Sequence, residues 1–570
     1  MAFRFAQIAL AAGVLLASTV SQPTIAGQSS RQPMTAADVD AITTLLTLED
    51  TRQFDETVLT QLTKSPHREV RRRAIVAVAR IVNPAGSAIL LPLRGDADPD
   101  IVATVAFAYG QLKDAAAVPW LATVLKAPAT SVPVAREAAR ALGKIRSADA
   151  RTALAEYLLA APATAPAALV GEALLSIGRF TTREDIGPIV RWTTHADAAI
   201  RWRAAWALFR PRDPAAVPYL MKMTDDASAE VRFWAMRGMA PSLVAEAGPG
   251  AGLDVAKTSA RLREAINDRD RQVRTEALRA LAQYDDDASV QAVLMAIDSP
   301  DSWMSISAVE SLGRLKGRED LVVPRLVAAS RADRPLALRI AALAPLAALA
   351  PEPAATAAAA LAASTSAVAR TTAIQVLQKL GAPGRDNLEA LSADPALRDL
   401  ISRPPAASRP APIKRTAAEY RAIVERWIVR DYNGAARPRS VLGTAKGEIE
   451  LELYPDDAPL GVEYLMSAIA SGAVVGTEFG RVVPNFVAQQ RPIRDAAVLR
   501  DEVSRRGLTR GNLSWASAGL DTGRPGYTLA VTPQPHNEGD FTALGGVVRG
   551  QDVVDRLELG DAVIAARVVR

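Results

Sequence analysis

Between about residues 35 and 402, apolar residues recur at helical spacing, and that pattern itself returns every 31 to 42 residues. Ten positions mark the repeats: Ala74, Val105, Ala138, Ala173, Ala204, Ala235, Ala277, Ala308, Ala342 and Ala373. Four positions before most of them stands an aliphatic residue (Val70, Ile101, Val134, Ile200, Val231, Val273, Leu338), often followed by arginine, as at Arg71, Arg201, Arg232, Arg274 and Arg339. Upstream helices carry a proline near their start in Val118-Pro119, Val217-Pro218 and Val323-Pro324. There the missing N–H would have had no partner. One helical hairpin cannot bury its own apolar stripe, so the period predicts a stack of hairpins that cover one another. The longest interval holds Gly248-Pro249-Gly250-Ala251-Gly252, read as an extended loop. Lys257-Thr258 follow it, but Ala256 stands where a phosphate-binding loop requires glycine.

Past residue 402 the pattern changes twice. Residues 403–416 begin Arg403-Pro404-Pro405 and read as a proline-rich linker. Residues 417–436 read as a docking helix with Tyr420, Ile423, Val424 and Trp427 on one face. From Val441 the apolar period falls to two: Ile449, Leu451 and Leu453 alternate with Glu448, Glu450 and Glu452, a strand with one wet face. Asp456-Asp457-Ala458-Pro459 then turn into a helix, Gly461 to Ser471, ahead of a strand that starts at Phe479.

Composition narrows the function. The chain has 570 residues, 49% apolar and 23% charged, as expected of two to four soluble globular domains. Its net charge of +5 is spread without a long basic run, which argues against a nucleic-acid partner. There is no cysteine, hence no disulfide or thiolate metal site. His67 and His195 are isolated in the repeats and read as exposed, and no metal-ligand spacing or serine–histidine–acid set stands out, so no cofactor or metal is expected. Residues 1–26 read as a signal peptide: Arg4, an apolar run from Ile8 to Leu16, and Thr24-Ile25-Ala26 before a mature start near Gly27. The run Phe5–Val20 is shorter than the roughly 20 residues that span a bilayer. A periplasmic or secreted protein follows, with no stable membrane insertion after cleavage.

Residues 479–490, Phe-Gly-Arg-Val-Val-Pro-Asn-Phe-Val-Ala-Gln-Gln, place Arg481 among apolar residues, where a buried guanidinium is costly unless it has a task. The segment resembles the cyclophilin-type peptidyl-prolyl isomerases, whose signature is a Phe-His-Arg-Val strand followed by a Phe-x-x-Gln strand. Gly447 to Tyr454, Arg500-Asp501-Glu502, Gly511 to Gly519, Asp521-Thr522-Gly523, Thr532 to His536 and Gly545 to Val548 match further blocks in order, over about 440–564. The resemblance implies an eight-stranded antiparallel barrel with a substrate groove on its outer surface. It further implies Arg481 as the donor to a twisting amide, Phe486 as the aromatic floor, Val487 as an apolar wall and Gln489 as the orienting amide. Ala516 and Ser517 would bind residues preceding proline, and His536 would be the rim. Departures from the family are Gly480 for its histidine, Gln490-Arg491-Pro492 for its Gly-Gly-Asp-Pro turn, Gly526 for a glutamine, Thr528 for a pocket phenylalanine and Asn537 for a leucine.

The repeats resemble HEAT-like repeats, the bilin-lyase-type subfamily in particular, from which no lyase activity is carried over. The expected protein is therefore multidomain: an all-α HEAT-like superhelical solenoid (30–402), then an eight-stranded antiparallel cyclophilin-like β-barrel (437–570). The expected function is an exported prolyl isomerase assisting protein folding on proline-containing clients, its solenoid holding a partner or client. The alternatives are a weak or inactive proline-peptide binder and a protein-interaction scaffold. Two readings stay open for Trp202, Trp206 and Phe233, which helical geometry turns away from the stripe of Ile200, Ala204 and Leu208. They either pack between repeats or form an aromatic patch on the concave face for a protein partner.

Overall fold

The structure is a computed structural model that describes residues 32–248, 253–315, 317–402, 411–493 and 498–569. The expected signal segment, residues 249–252 of the long loop and residues 403–410 of the linker lie outside them. All ten repeat-marking residues are fully buried. They sit on the second helix of successive hairpins: Arg68–Ile81, Pro99–Leu112, Val132–Ile145, Ala167–Ile177, Ala198–Phe209, Ala229–Met236, Arg271–Leu281, Ser302–Leu312, Leu336–Leu349 and Ala367–Lys379. Each of these packs on the next, forming one inner row. Small residues are needed because the helices nearly touch. A Cβ on Gly143 would lie 2.7 Å from Ser176 Cα of the next inner helix.

The recurring arginine closes the turn before its own helix. Arg201 donates to the carbonyls of His195 and Ala196 and pairs with Asp226 at 2.7 Å. Arg232 repeats this with Asp226, Ala227 and Asp268, and Arg274 with Asp268, Arg269 and Asp301. Charge-assisted bonds of this kind tie each turn to the following repeat. Pro119 and Pro218 lie in the first turn of their helices, whereas Pro324 sits inside Glu319–Ala329. That helix starts earlier than expected, with Glu319 and Asp320 favouring its first turn.

One expectation is corrected here, and one of two open readings is selected. His67 is buried, not exposed: its ring packs against Tyr432, and Nε2 lies 3.1 Å from the Gln32 carbonyl. Trp202, Trp206 and Phe233 are buried as well and form no open patch. Trp202 stacks on Trp234, Phe233 meets the same ring edge-on, and Trp206 fills the space over Gly178. An inner-row helix has neighbours on both flanks besides its core face, so three sides are covered.

The C-terminal domain is an antiparallel sheet of β1 (Arg439–Thr444), β2 (Gly447–Leu453), β3 (Phe479–Val483), β4 (Val487–Gln490), β5 (Asn512–Ala516), β6 (Arg524–Ala530), β7 (Ala543–Arg549) and β8 (Val563–Val569), in the order β3-β4-β6-β5-β7-β2-β1-β8. Its two ends meet: Phe479 N–H donates to the Asp561 carbonyl at 2.8 Å and Val563 N–H to that of Thr477 at 2.9 Å, curling the sheet into a barrel. Ile449, Leu451 and Leu453 point into its core with Phe479, Trp515 and Tyr527, while Glu448, Glu450 and Glu452 pair outside with arginines of β1, β7 and β8. The helix Pro459–Ala470 plugs one side.

The barrel sits against the inner row. Arg80 donates to the Val503 and Asp457 carbonyls, Lys144 to Gly539, Arg179 to Pro535, Arg271 to Asp555 and Arg279 to Pro484. Glu478, just before β3, caps the helix Ala367–Lys379 by accepting from Ala367 N–H, Val368 N–H and the Ser366 hydroxyl. The docking helix, Ala417–Ile423, runs through a wider π turn, Val424–Val429, into Arg430–Tyr432. Tyr420, Ile423, Val424 and Ile428 pack on Val39, Ile42 and Leu46 of the first helix, Ala36–Thr51. The extra residue of the π turn moves Trp427 to the margin of that face, where its indole donates to Glu463. After the last repeat, the chain has thus returned to the first.

Candidate active site

A β-bulge sets the central residue. The register between β3 and β4 slips between Phe479 and Arg481, so Phe479 points into the core while Arg481, two residues on, points out. Arg481 is therefore solvent-exposed rather than buried among apolar neighbours as its sequence setting suggested. It does not hang free: its guanidinium lies 5.4 Å from the Phe486 ring centroid, and Nη1 is 3.5 Å from Gln489 Oε1. Arg481 faces Gln489 across β3–β4, Gln489 faces Thr528 across β4–β6, and Thr528 faces Ser514 across β6–β5. Four strands thus align four polar side chains in one row. Thr528 Oγ1 lies 2.7 Å from Ser514 Oγ, so the floor is polar where the resemblance implies an aromatic ring. Val487, two residues from Gln489 on β4, is buried, and Ala488 between them faces the core.

The turn carrying Phe486 is held from the helical stack. Asn485 has a positive φ of 60° and is fully buried; its amide donates to the Gln272 carbonyl at 2.9 Å and to Glu276 at 3.3 Å. Its own carbonyl accepts from Thr532. Beyond it, Phe486 stacks on His536 with ring centroids 6.1 Å apart. Burial, with Arg210, Arg237 and Arg179 nearby, pushes the His536 imidazole down to about 4, so the rim is neutral near pH 7. Ala516 ends β5 opposite Arg524, the first residue of β6; Ser517 follows it, and its hydroxyl donates to the Gly519 carbonyl. Asn537 donates to Gln534 within its own turn.

The departures interlock. A Cβ on Gly526 would come 2.7 Å from the Gln490 carbonyl oxygen and 3.0 Å from Arg491 C, and one on Gly480 would come 2.6 Å from Arg491 Cγ. Once Gln490-Arg491-Pro492 runs this close, the backbone leaves no room for the family's glutamine at Gly526, and a histidine at Gly480 would have to displace the Arg491 side chain. Arg491 meanwhile reaches Thr371 of the last repeat.

Sequence reasoning missed the stack's share of this site: Gln272, Glu276 and Arg279 under the turn, Arg210 and Arg237 beside His536, and Glu310 near Arg481. A periodic mark was there to be read. Six residues after the repeat-marking position, a cation recurs at Arg80, Lys144, Arg179, Arg210, Arg314 and Lys379.

Comparison with known proteins agrees with this architecture. Residues 440–569 match the family model described as cyclophilin type peptidyl-prolyl cis-trans isomerase. Residues 56–132, 87–170, 165–240 and 259–347 match HEAT repeats. A peptidyl-prolyl cis-trans isomerase of Helicobacter pylori is 29% identical over 150 residues, which are 25% of this chain and 92% of that protein. Peptidyl-prolyl cis-trans isomerase B of Bacillus subtilis is 33% identical over 129 residues, 21% of this chain and 90% of that one. A crystal structure of a cyclophilin type isomerase from Cryptosporidium parvum covers 24% of this chain and 98% of its own, at 16% identity and a TM-score of 0.22.

Proposed function

Because this chain belongs to the cyclophilin-type peptidyl-prolyl cis-trans isomerases, we propose that its barrel catalyses X-Pro rotation in proline-containing protein segments, at the groove of Arg481, Phe486 and Gln489. The observation that carries the reading is the Arg481 guanidinium held between the Phe486 ring and the Gln489 amide on the barrel's outer surface.

The chemistry follows from the bond. An X-Pro peptide resists rotation by about 18–20 kcal/mol because resonance stiffens its C–N bond. Halfway through the turn that resonance is lost and the nitrogen lone pair becomes an acceptor. A fixed donor aimed at it binds the twisted amide better than either planar form, worth roughly 2.7–4 kcal/mol. Phe486 supplies a face for the proline ring, and Gln489 fixes the arginine. No proton is transferred, so the neutral His536 serves as a surface. The polar Thr528–Ser514 floor withholds apolar burial of about 1.5–3 kcal/mol per fully buried side chain, which favours weak turnover over fast. That floor also supports the alternative of a binder without turnover.

Residues 1–26 support export to the periplasm or beyond, and a role in assisting folding there. The inner row holds the chain's own barrel, so the solenoid acts first as a mount for the isomerase, and clients enter at the groove. A prolyl-isomerisation assay on the full chain, with Arg481→Ala as control, tests the catalytic reading. The parent should exceed the control by roughly a hundredfold in kcat/KM. Equal rates would leave a binder.

A further inference from the structure

The cations six residues past six of the ten repeat marks form a ladder along the inner row, and several members are spent in one way. Arg80 takes the Val503 and Asp457 carbonyls together with the Glu49 carboxylate. Lys144 takes the Gly539 carbonyl at 2.7 Å and the Asp540 carboxylate at 3.1 Å. Arg179 takes the Pro535 and Glu538 carbonyls, with the Glu538 carboxylate at 4.0 Å. Each thus meets a main-chain carbonyl and a carboxylate. Arg210 is the next rung. Among the described residues its guanidinium has no hydrogen bond and no ion pair; it rests over the Trp206 ring at 5.3 Å, with Nε buried and unpartnered. The charged groups felt there, Arg179 and Arg146, are both positive. Its charge is felt at His536, which follows the Pro535 held by the preceding rung and stacks on Phe486.

We propose that Arg210 is the solenoid's contribution to the substrate groove, and that its missing partner is an acidic residue of the bound chain, just after the isomerised proline. The direction comes from the strands. Ala516 lies opposite Arg524 at the start of β6, whereas Phe486, beside the Val487–Ala530 pair, and His536 lie past its other end. A segment whose residues before proline lie along Ala516 and Ser517 runs out over His536 towards Arg210. The neighbouring rungs show what such a cation takes here: a carbonyl and a carboxylate. A like-charged residue at that place would meet uncompensated repulsion.

This inference rests on the isomerase reading, and its test separates the two. Isomerisation by the full chain is measured on two peptides that differ only in Glu or Lys after proline. The Glu peptide should have a kcat/KM about fivefold higher, the ratio expected of a partly exposed ion pair, falling towards one in high salt. Arg210→Gln should bring the ratio to about one, and Arg210→Glu should invert it. A Glu:Lys ratio that stays the same in Arg210→Gln overturns the proposal while the isomerase reading stands. No turnover of any peptide overturns the isomerase reading itself. Circular dichroism and thermal melting of both variants guard against loss of the Trp206 contact.

Discussion

Arg80 ties the stack to the barrel through two buried hydrogen bonds while it neutralises a buried carboxylate, so its removal makes a sharp test. It is 3% exposed. Nη1 meets Glu49 Oε2 at 2.7 Å, Nε meets the Val503 carbonyl at 3.0 Å and Nη2 that of Asp457 at 2.5 Å. Arg80→Leu strands the buried Glu49 carboxylate and two carbonyls. Breaking a buried pair from one side costs about 3–5 kcal/mol, chiefly the cost of the uncompensated charge. Replacing both partners, Arg80→Leu with Glu49→Leu, removes that charge and should recover most of the loss. Hydrogen exchange of the amides at 456–461 and 501–505 reads the local opening directly. A loss of about 3 kcal/mol should speed exchange there by roughly two orders of magnitude in the single variant. The double variant should fall back to within about tenfold of the parent. If it exchanges as fast as the single variant, stranded charge is not the cause; a single variant within twofold of the parent means that Arg80 does not hold the junction.

Two further outcomes follow, one beside Arg80 and one at the Gln490–Arg491 turn. Glu502 is buried and accepts from Leu460 and Gly461 N–H; burial pushes its carboxyl up to about 7, against the opposing charge of Arg80. Its folded value lies above the ordinary 4.5, so the folded state holds the proton more tightly and stability falls as pH rises from 4.5 through 7. The cost, on the order of 3 kcal/mol, should largely vanish in Glu502→Gln. The melting temperature of that variant between pH 5 and 8 should then decline less than the parent's, with Asp501, raised to about 6, keeping some slope; parallel curves would refute this. Restoring the family's glutamine alone, Gly526→Gln, should lower the melting temperature without raising turnover, because the new Cβ meets the Gln490 carbonyl; a stable, faster enzyme would refute the interlock.

How much of this was legible in the sequence depended on the range of the forces involved. The repeat marks were readable because close helix packing demands a small side chain at a fixed period, and all ten are buried. The alternation of Ile449, Leu451 and Leu453 with glutamates was readable for the same local reason. The family pattern picks out Arg481 but not its exposure, since a bulge between Phe479 and Arg481 breaks the period of two. A helical wheel with one buried face leaves Trp202 and Trp206 outside, while inner helices have three buried sides and cover both. What could not be read at all are contacts between distant positions, such as Tyr420 with Asp50 or Asn485 with Gln272. A single sequence carries no trace of which residue meets which across hundreds of positions.

A stack of helical hairpins fixed at one end behaves as a coil spring, its pitch free to breathe. Here Tyr420 hooks the returning chain to the first coil while Glu478 latches the barrel onto the last. The spring is clasped shut around its load. Stretching it would load the hairpin that bears Arg481, which Gln272 and Arg279 tie to a middle coil. Tension on this molecule should therefore reach the groove and be felt as a change in isomerase rate.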